Sequence, residues 1–138
     1  MAADAPAHLW TLHHRVLTRV LRAAAPRLEE LGLESKELFV LDEVDACRYP
    51  AVLAQRLLIP KASVTVYVRN LVAKGLVVRA IDDDDLRRHR LATTEAGRQV
   101  LGEALAALSA EFARTTARLA PADRAELLRL LTELDRDD

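Results

Sequence analysis

Apolar residues recur every three or four positions along most of the chain, which is the period of a helix with one buried face. The pattern predicts helices over residues 5–31, 34–46, 51–57, 61–73, 94–119 and 121–134. Residues 76–81 are a β-prone run instead, and residues 87–93 can return as a second strand after a turn of four aspartates. We therefore expect a mainly α chain with one small β hairpin.

A sharp break separates the two short central helices. Val52, Leu53 and Leu57 give the first helix its apolar stripe, and Leu58-Ile59-Pro60 follow it. Pro60 suits the start of the next helix, where its missing N–H is no loss. The apolar stripe of that second helix consists of Val64, Val68, Leu71 and Val72, and Gly75 is expected to end it.

The opposite face of the 61–73 helix carries short, polar or basic side chains: Ala62, Ser63, Val66, Arg69 and Asn70. A helix that enters the DNA major groove needs short residues for close approach, and Arg and Asn can bond base edges or phosphates. Val66 is apolar where a solvated helix is normally polar, and a thymine methyl group would suit it. The plainer alternative is an ordinary helical hairpin with a mixed surface.

The hairpin that follows adds a second basic element. It carries Arg87, Arg88, His89 and Arg90 after the acidic turn. This order of elements is that of a winged helix-turn-helix: a helix, a tight turn, a second helix and then a basic hairpin. In that fold the hairpin reaches over the DNA backbone toward the minor groove.

The stretch LAQRLLIPKASVTVYVRNLVAKGLVVR, followed by DDDLRRHRLATTEAGR, resembles the DNA-binding domain of the MarR family of bacterial transcriptional regulators. The resemblance implies one MarR-type chain over residues 1–138, with a winged helix-turn-helix lobe at 34–93. The helices at 5–31 and 94–135 would be dimerisation helices. The family also implies small aromatic, often phenolic or carboxylate, effectors bound where the dimer helices meet the DNA-binding lobe.

Together the pattern and the resemblance give a set of candidate DNA-binding residues, with Asp85 expected to orient Arg87. The set is Lys61, Ala62, Ser63, Thr65, Val66, Tyr67, Arg69, Asn70, Arg79, Arg87, Arg88 and Arg90. Three positions depart from the family pattern. Leu58 stands where a turn glycine is usual, Leu86 replaces an arginine of the wing, and Asp83 stands where proline is common, so the wing is unusually acidic.

Charge is distributed unevenly although the formal net charge is only −1. Residues 61–98 carry eight basic and five acidic residues, and four of those acids lie in the turn at 82–85. Positive charge therefore gathers on the second central helix and the hairpin, which suits a polyanion partner. We expect the salt dependence of DNA binding to be moderate.

Composition narrows the remaining classes of protein. No run of about 20 apolar residues and no signal-peptide pattern is present, so we expect a cytoplasmic protein without membrane spans. The single cysteine, Cys47, excludes a disulfide framework within the chain, and it is more simply a small buried thiol than a redox sensor. We expect no metal, no cofactor and no enzymatic activity, because catalytic or phosphate-binding motifs are missing.

Both ends of the chain are strongly amphipathic. The leucines of residues 121–134 cover too broad a face for a lone terminal helix, which favours a homodimer. On the first helix, Trp10, His13 and His14 are either buried in a core or dimer interface, or they line an effector pocket. The preferred hypothesis is a ligand-responsive repressor that binds a palindromic operator. The alternative is a winged-helix module for protein interaction that has lost DNA binding.

Overall fold

The computed structural model describes residues 5–82 and 84–136, and within them the prediction of a mainly α chain with a small β hairpin is confirmed. The elements are α1 Ala5–Glu30, α2 Ser35–Cys47, α3 Pro50–Leu57, α4 Lys61–Ala73, β1 Val77–Ile81, β2 His89–Thr93, α5 Glu95–Thr116 and α6 Pro121–Leu134. Residues 24–107 form one compact unit. The two ends of the chain, up to Ala23 and from Leu108 onward, form the other.

The core of the 24–107 unit lies where α2, α3, α4 and the hairpin pack together. Val64, Val68 and Leu71 of the predicted 61–73 stripe are buried in it, whereas of the predicted 51–57 stripe Leu53 is buried and Val52 is 40% exposed. Its buried side chains include Leu28, Leu33, Leu38, Val40, Leu41, Val44, Leu53, Val64, Val68, Leu71, Leu76, Val77 and Leu91.

Helix α2 begins with a capping box formed by Glu34 and Glu37. The backbone N–H of Glu34 donates to Glu37 Oε1 at 3.0 Å. The same carboxylate accepts a hydrogen bond from Lys74 Nζ at 2.6 Å, and Lys74 also donates to the carbonyl of Gly32. Glu37 is only 1% exposed, so this ion pair fastens the start of α2 to the end of α4 inside the unit.

Helix α4 ends as the sequence predicted, at Gly75. This glycine has φ +75°, and the two hydrogen bonds of a Schellman motif run from Gly75 N to Val72 O and from Leu76 N to Leu71 O. The chain then enters β1. The antiparallel partner β2 pairs Val77 with Thr93 at one end of the ladder and Ile81 with His89 at the other.

Helix α2 holds the base of the hairpin. Thr93 N donates to Asp45 Oδ1 at 2.8 Å, and Leu91 N donates to the carbonyl of Arg48 at 2.7 Å. Strand β2 starts at His89, two residues later than expected, so Arg87 and Arg88 belong to the wing loop and not to the strand. The loop forms because Asp85 and Asp82 satisfy its backbone N–H groups locally.

The break between α3 and α4 turns the helix axes by 115°. It is made at Leu58, which has φ +56° and ψ +40° and is 90% exposed. A side chain in this left-handed region is strained, because its Cβ approaches the following carbonyl oxygen. Leucine in place of the usual turn glycine therefore strains the backbone at this turn.

The unit built from the chain ends differs in its burial. Helix α6 has no buried residue, and Leu128 and Leu134 are largely exposed. Helix α1 runs without interruption through Pro26. In the described residues no single helix is both long and apolar enough to cross a membrane; α3 and α4 meet that criterion only when counted together as a bent pair.

Replacing Leu58 by glycine should stabilise the fold. Relief of the left-handed strain is worth about 1–2 kcal/mol, and the greater flexibility of glycine in the unfolded chain returns about 0.4–1 kcal/mol of it. We expect the free energy of unfolding in urea to rise by about 0.5–1 kcal/mol in Leu58→Gly. The matched control Ala51→Gly, at an exposed helical position of α3, should lower it. A loss of stability in Leu58→Gly would contradict the strain.

The buried Glu37 should give the fold an acid-sensitive component. Burial raises its pKa, but the hydrogen bond and charge of Lys74 and the hydrogen bonds from Glu34 and Asn70 lower it more, so the net pKa lies below 4.5. A carboxylate with a depressed folded-state pKa contributes stability above the unfolded value, and this is lost as pH falls through the folded value. Unfolding measured from pH 7 to pH 3 should therefore depend less on pH in Glu37→Gln than in the parent. Glu29→Gln, at an exposed site, should keep the parent dependence; identical profiles for the parent and Glu37→Gln would refute this account.

Candidate nucleic-acid interface

The outer face of α4 is exposed because its inner face is anchored. Val64, Val68 and Leu71 are buried almost completely, which fixes the rotation of the helix about its axis. Lys61, Ala62, Thr65, Val66 and Arg69 are left exposed on the other side. Five of the predicted contact residues therefore share one accessible surface, which we call the reading face.

The side chains of the reading face are short or basic, and none of them is acidic. No Asp or Glu occurs in Lys61–Ala73, while Lys61 and Arg69 supply positive charge. The Thr65 hydroxyl donates back to the Lys61 carbonyl at 3.0 Å, which leaves its oxygen lone pairs as acceptors. Val66 lies between Lys61 and Arg69. Its apolar side chain is 44% exposed, so the described chain covers it only in part.

Three other predicted contacts on α4 lie at the edge of the reading face. Ser63, Tyr67 and Asn70 are each only half-exposed. Asn70 also lies close to the buried Glu37, and its side chain is one of the groups that lower the pKa of that carboxylate.

The wing loop closes on itself between the two strands. The Asp85 carboxylate accepts hydrogen bonds from Arg87 N at 3.0 Å and from Arg87 Nε at 3.3 Å, and Arg88 N donates to the Asp85 carbonyl at 2.9 Å. The Arg87 side chain is 92% exposed. Asp85 thus lies where it limits the directions that Arg87 takes, and Leu86 beside it is also largely exposed.

Asp82, the first residue of the acidic turn, is buried. It is 4% exposed, accepts a hydrogen bond from the Tyr49 hydroxyl, and accepts a second from Asp84 N at 2.9 Å. The Tyr49 hydrogen bond is the main cause that holds the pKa of Asp82 below its usual value, and the same bond raises the pKa of Tyr49. Asp82 is therefore a structural anion. Asp83, which stands where proline is common in the family, lies outside the described residues.

The remaining wing arginines differ in their surroundings. The Arg88 guanidinium carbon lies 3.9 Å from the centre of the Tyr49 ring, a cation–π contact that fixes this side chain within the fold. Arg90 is half-buried in β2, whereas Arg79 on β1 is exposed. Sequence reasoning did not single out Tyr49, although it is one of only two tyrosines in a chain with 4% aromatic residues.

A cleft of about 280 Å³ lies between the start of α4 and the hairpin. Pro50 and Leu91 give it apolar walls, while Lys61, Arg79 and His89 bring three basic side chains to its lining together with Thr65. The candidate contacts Lys61, Thr65 and Arg79 are therefore close neighbours, and the reading face continues into the hairpin through this cleft. The charge of the cleft favours an anion.

The candidate effector residues form a small aromatic cluster on α1. The Trp10 ring centre lies 6.4 Å from that of His13 and 6.0 Å from that of His14, and all three side chains are exposed in the single chain. Cys47 is buried at the end of α2, and burial, with the nearby charge of Glu43, raises the pKa of its thiol. No group of three or more His, Cys, Asp or Glu in the described residues is arranged to hold a metal ion.

The sequence model of the MarR family matches residues 38–88, which include α3, α4, β1 and most of the wing loop. The comparison with curated proteins finds no match in sequence.

Solved structures extend the likeness to almost the whole chain. The transcriptional regulator BldR from Sulfolobus solfataricus is 26% identical over 97% of this chain and 96% of its own, with a TM-score of 0.80. The transcriptional repressor CouR, solved with a 23-mer DNA duplex, is 25% identical over 99% and 98%, with a TM-score of 0.79. The organohalide-sensing regulator RdhR, in its 2,4-dichlorophenol-bound form, is 23% identical over 94% and 79%, with a TM-score of 0.77.

Proposed function

We propose that this chain, which matches the model of the MarR family over residues 38–88, is a transcriptional regulator of that family and acts as a ligand-responsive repressor that binds a palindromic operator as a homodimer. The observation that carries the proposal is the reading face of α4. Its exposed side chains are short or basic, no acid interrupts them, and the buried stripe behind them holds the helix rigid.

The reading face has the chemistry of major-groove recognition. Arg69 and Lys61 can donate to guanine O6 and N7 or to phosphates, Thr65 can accept or donate, and Val66 can pack on a thymine methyl group. Ala62 allows the backbone to approach base edges closely. Base-edge contacts carry sequence information, so this face sets which DNA is bound.

The wing supplies affinity more than sequence information. Arg87 projects from a short loop with its backbone and Nε held by Asp85, so little side-chain freedom is lost when it meets a phosphate or the minor groove. The Asp82 carboxylate is held in place by the Tyr49 hydroxyl, so this acid contributes to the shape of the wing loop. The similar repressor CouR has been solved bound to a DNA duplex, which supports duplex DNA as the partner proposed here.

Homodimerisation follows from the terminal helices. Helix α6 exposes Leu128, Leu130, Leu131 and Leu134, and α1 exposes Leu9, Trp10, Leu12 and Leu17. Apolar surface of this extent is normally covered, and a second copy related by a two-fold axis covers both helices at once. Two reading faces would then meet two half-sites of a palindrome.

An aromatic effector is proposed to bind at Trp10, His13 and His14. These rings are exposed on α1, and apolar rings with polar edges suit a phenol or an aromatic carboxylate. RdhR has been solved with 2,4-dichlorophenol, which makes a phenolic effector the first class to test. An effector that weakens DNA binding must itself bind the DNA-bound protein less tightly.

Val66→Ser and Arg87→Ala should separate base reading from backbone contact. Val66→Ser should change the preference at one or two base pairs by about 1 kcal/mol, if Val66 packs on a thymine methyl group. Arg87→Ala should weaken binding to all sequences and lower the salt slope by about one unit, since one phosphate contact is lost. Binding titrations at two salt concentrations, on a specific duplex and a scrambled one, measure both effects.

The matched control for these titrations is Arg118→Ala, an exposed arginine outside the winged helix-turn-helix lobe, which should bind like the parent. If Val66→Ser keeps the parent base preference, the reading face is misplaced. If Arg87→Ala weakens binding only on the specific duplex, Arg87 does not act through a phosphate.

Charge placed on α6 should break the dimer and DNA binding together. The parent should sediment at about twice the 15.3 kDa chain mass at micromolar concentration. Leu131→Glu should shift it toward monomer and weaken operator binding, because one lobe contacts only half a site. Thr132→Glu, at an exposed polar position of the same helix, is the control. A folded, stable parent monomer that still binds the palindrome with full affinity would contradict the dimer.

A further inference from the structure

We infer that Tyr49 is a positioning residue for the wing: it clasps both ends of the wing loop and so determines where Arg87 meets DNA. The inference rests on the proposed DNA-binding function and adds to it a residue outside the reading helix and the wing. We call Tyr49, Asp82 and Arg88 the wing clasp.

Asp82 and Arg88 are the two residues at which the wing loop leaves the ladder. The last strand pair is Ile81 with His89, and the next bond runs from Asp82 N to Arg88 O at 2.9 Å. Leu86 and Arg87 lie beyond this pair and therefore belong to a loop whose two ends are Asp82 and Arg88.

Tyr49 contacts both ends of that loop with one side chain. Its hydroxyl donates to Asp82 Oδ2, and its ring lies under the Arg88 guanidinium at 3.9 Å. The other Asp82 oxygen accepts Asp84 N, so the buried carboxylate has partners for both oxygens. Removing the Tyr49 hydroxyl would take away the only side-chain hydrogen bond shown for this buried anion among the described residues, which is costly unless the loop moves to reach water.

Tyr49 is itself fixed to the helix-turn-helix. It immediately precedes α3, its carbonyl accepts Leu53 N at 3.0 Å, and the neighbouring Arg48 carbonyl accepts Leu91 N from β2 at 2.7 Å. Because α3 leads through the Leu58 turn into α4, the same residue is rigidly linked to the reading face and to the wing. The clasp thereby sets the position of one DNA-contacting element relative to the other.

The wing clasp affects both the entropy and the geometry of DNA binding. A held loop presents Arg87 in one position before DNA arrives, whereas a loosened loop must be ordered during binding. Because its guanidinium stacks on Tyr49, the main role of Arg88 is to hold the loop rather than to contact a phosphate. Base preference, which α4 sets, should not depend on the clasp.

A double-mutant cycle between Tyr49→Phe and Arg87→Ala tests the clasp. Tyr49→Phe keeps the ring under Arg88 and removes only the bond to Asp82. The probe is a duplex selected by the parent protein from a random-sequence pool, titrated at two salt concentrations. We expect Tyr49→Phe to weaken binding about three- to tenfold, the range of the net contribution of a typical hydrogen bond. We also expect a reduced salt slope and an unchanged base preference.

The decisive result is the behaviour of the pair. In the Arg87→Ala background, Tyr49→Phe should have almost no further effect, because its action passes through Arg87. Asp82→Asn, which weakens the same bond from the other side, should behave alike. The control Val44→Ala opens a cavity in the core of α2 and lowers stability, yet its effect on DNA affinity should be additive with Arg87→Ala.

The outcomes distinguish the inference from the function on which it rests. Additive effects of Tyr49→Phe and Arg87→Ala, or a parent salt slope in Tyr49→Phe, would overturn the clasp while DNA binding by the parent stands. A parent protein that selects no duplex would overturn the proposed function, and the clasp with it. An Arg87→Ala variant that binds like the parent would remove the contact through which the clasp is said to act, and would also reject it.

Discussion

The buried stripe of α4 is the constraint on which the rest of the structure depends. Val64, Val68 and Leu71 are almost inaccessible to solvent, and removing any of them from the core would cost several kcal/mol, on the order of 2–5 for a leucine. A helix held this firmly cannot rotate, so the opposite side chains always face outward together. The chain tolerates a strained Leu58 and a buried ion pair at Glu37, which lie at the two ends of this helix.

In the wing, the acidic side chains make contacts that the charge pattern of the sequence does not reveal. Four successive aspartates suggested a loop that repels DNA and motivated a protein-interaction module that had lost DNA binding. In the structure Asp82 accepts a bond from Tyr49, and Asp85 accepts bonds from Arg87. These two aspartates therefore shape the loop that carries Arg87. A loop shaped to present an exposed arginine favours the DNA-binding proposal over the interaction module.

Most of the fold could be predicted from the sequence because helical periodicity and the Gly75 stop are local signals. Leu58 stands where a turn glycine is usual, and its positive φ is a conformation that glycine adopts without strain. Other features could not be predicted, since they depend on partners distant in sequence. Asp82 is buried because Tyr49, 33 positions earlier, reaches it, and Asn70 lies close to the buried Glu37.

The central claim is that two copies of the reading face act together on a palindrome. Selection of bound duplexes from a random-sequence pool by the parent protein tests this most directly. The account predicts enrichment of an inverted repeat whose half-site centres lie about 10 base pairs apart, or a multiple of one helical turn. Enrichment of single, unpaired half-sites, or of no sequence at all, would contradict it.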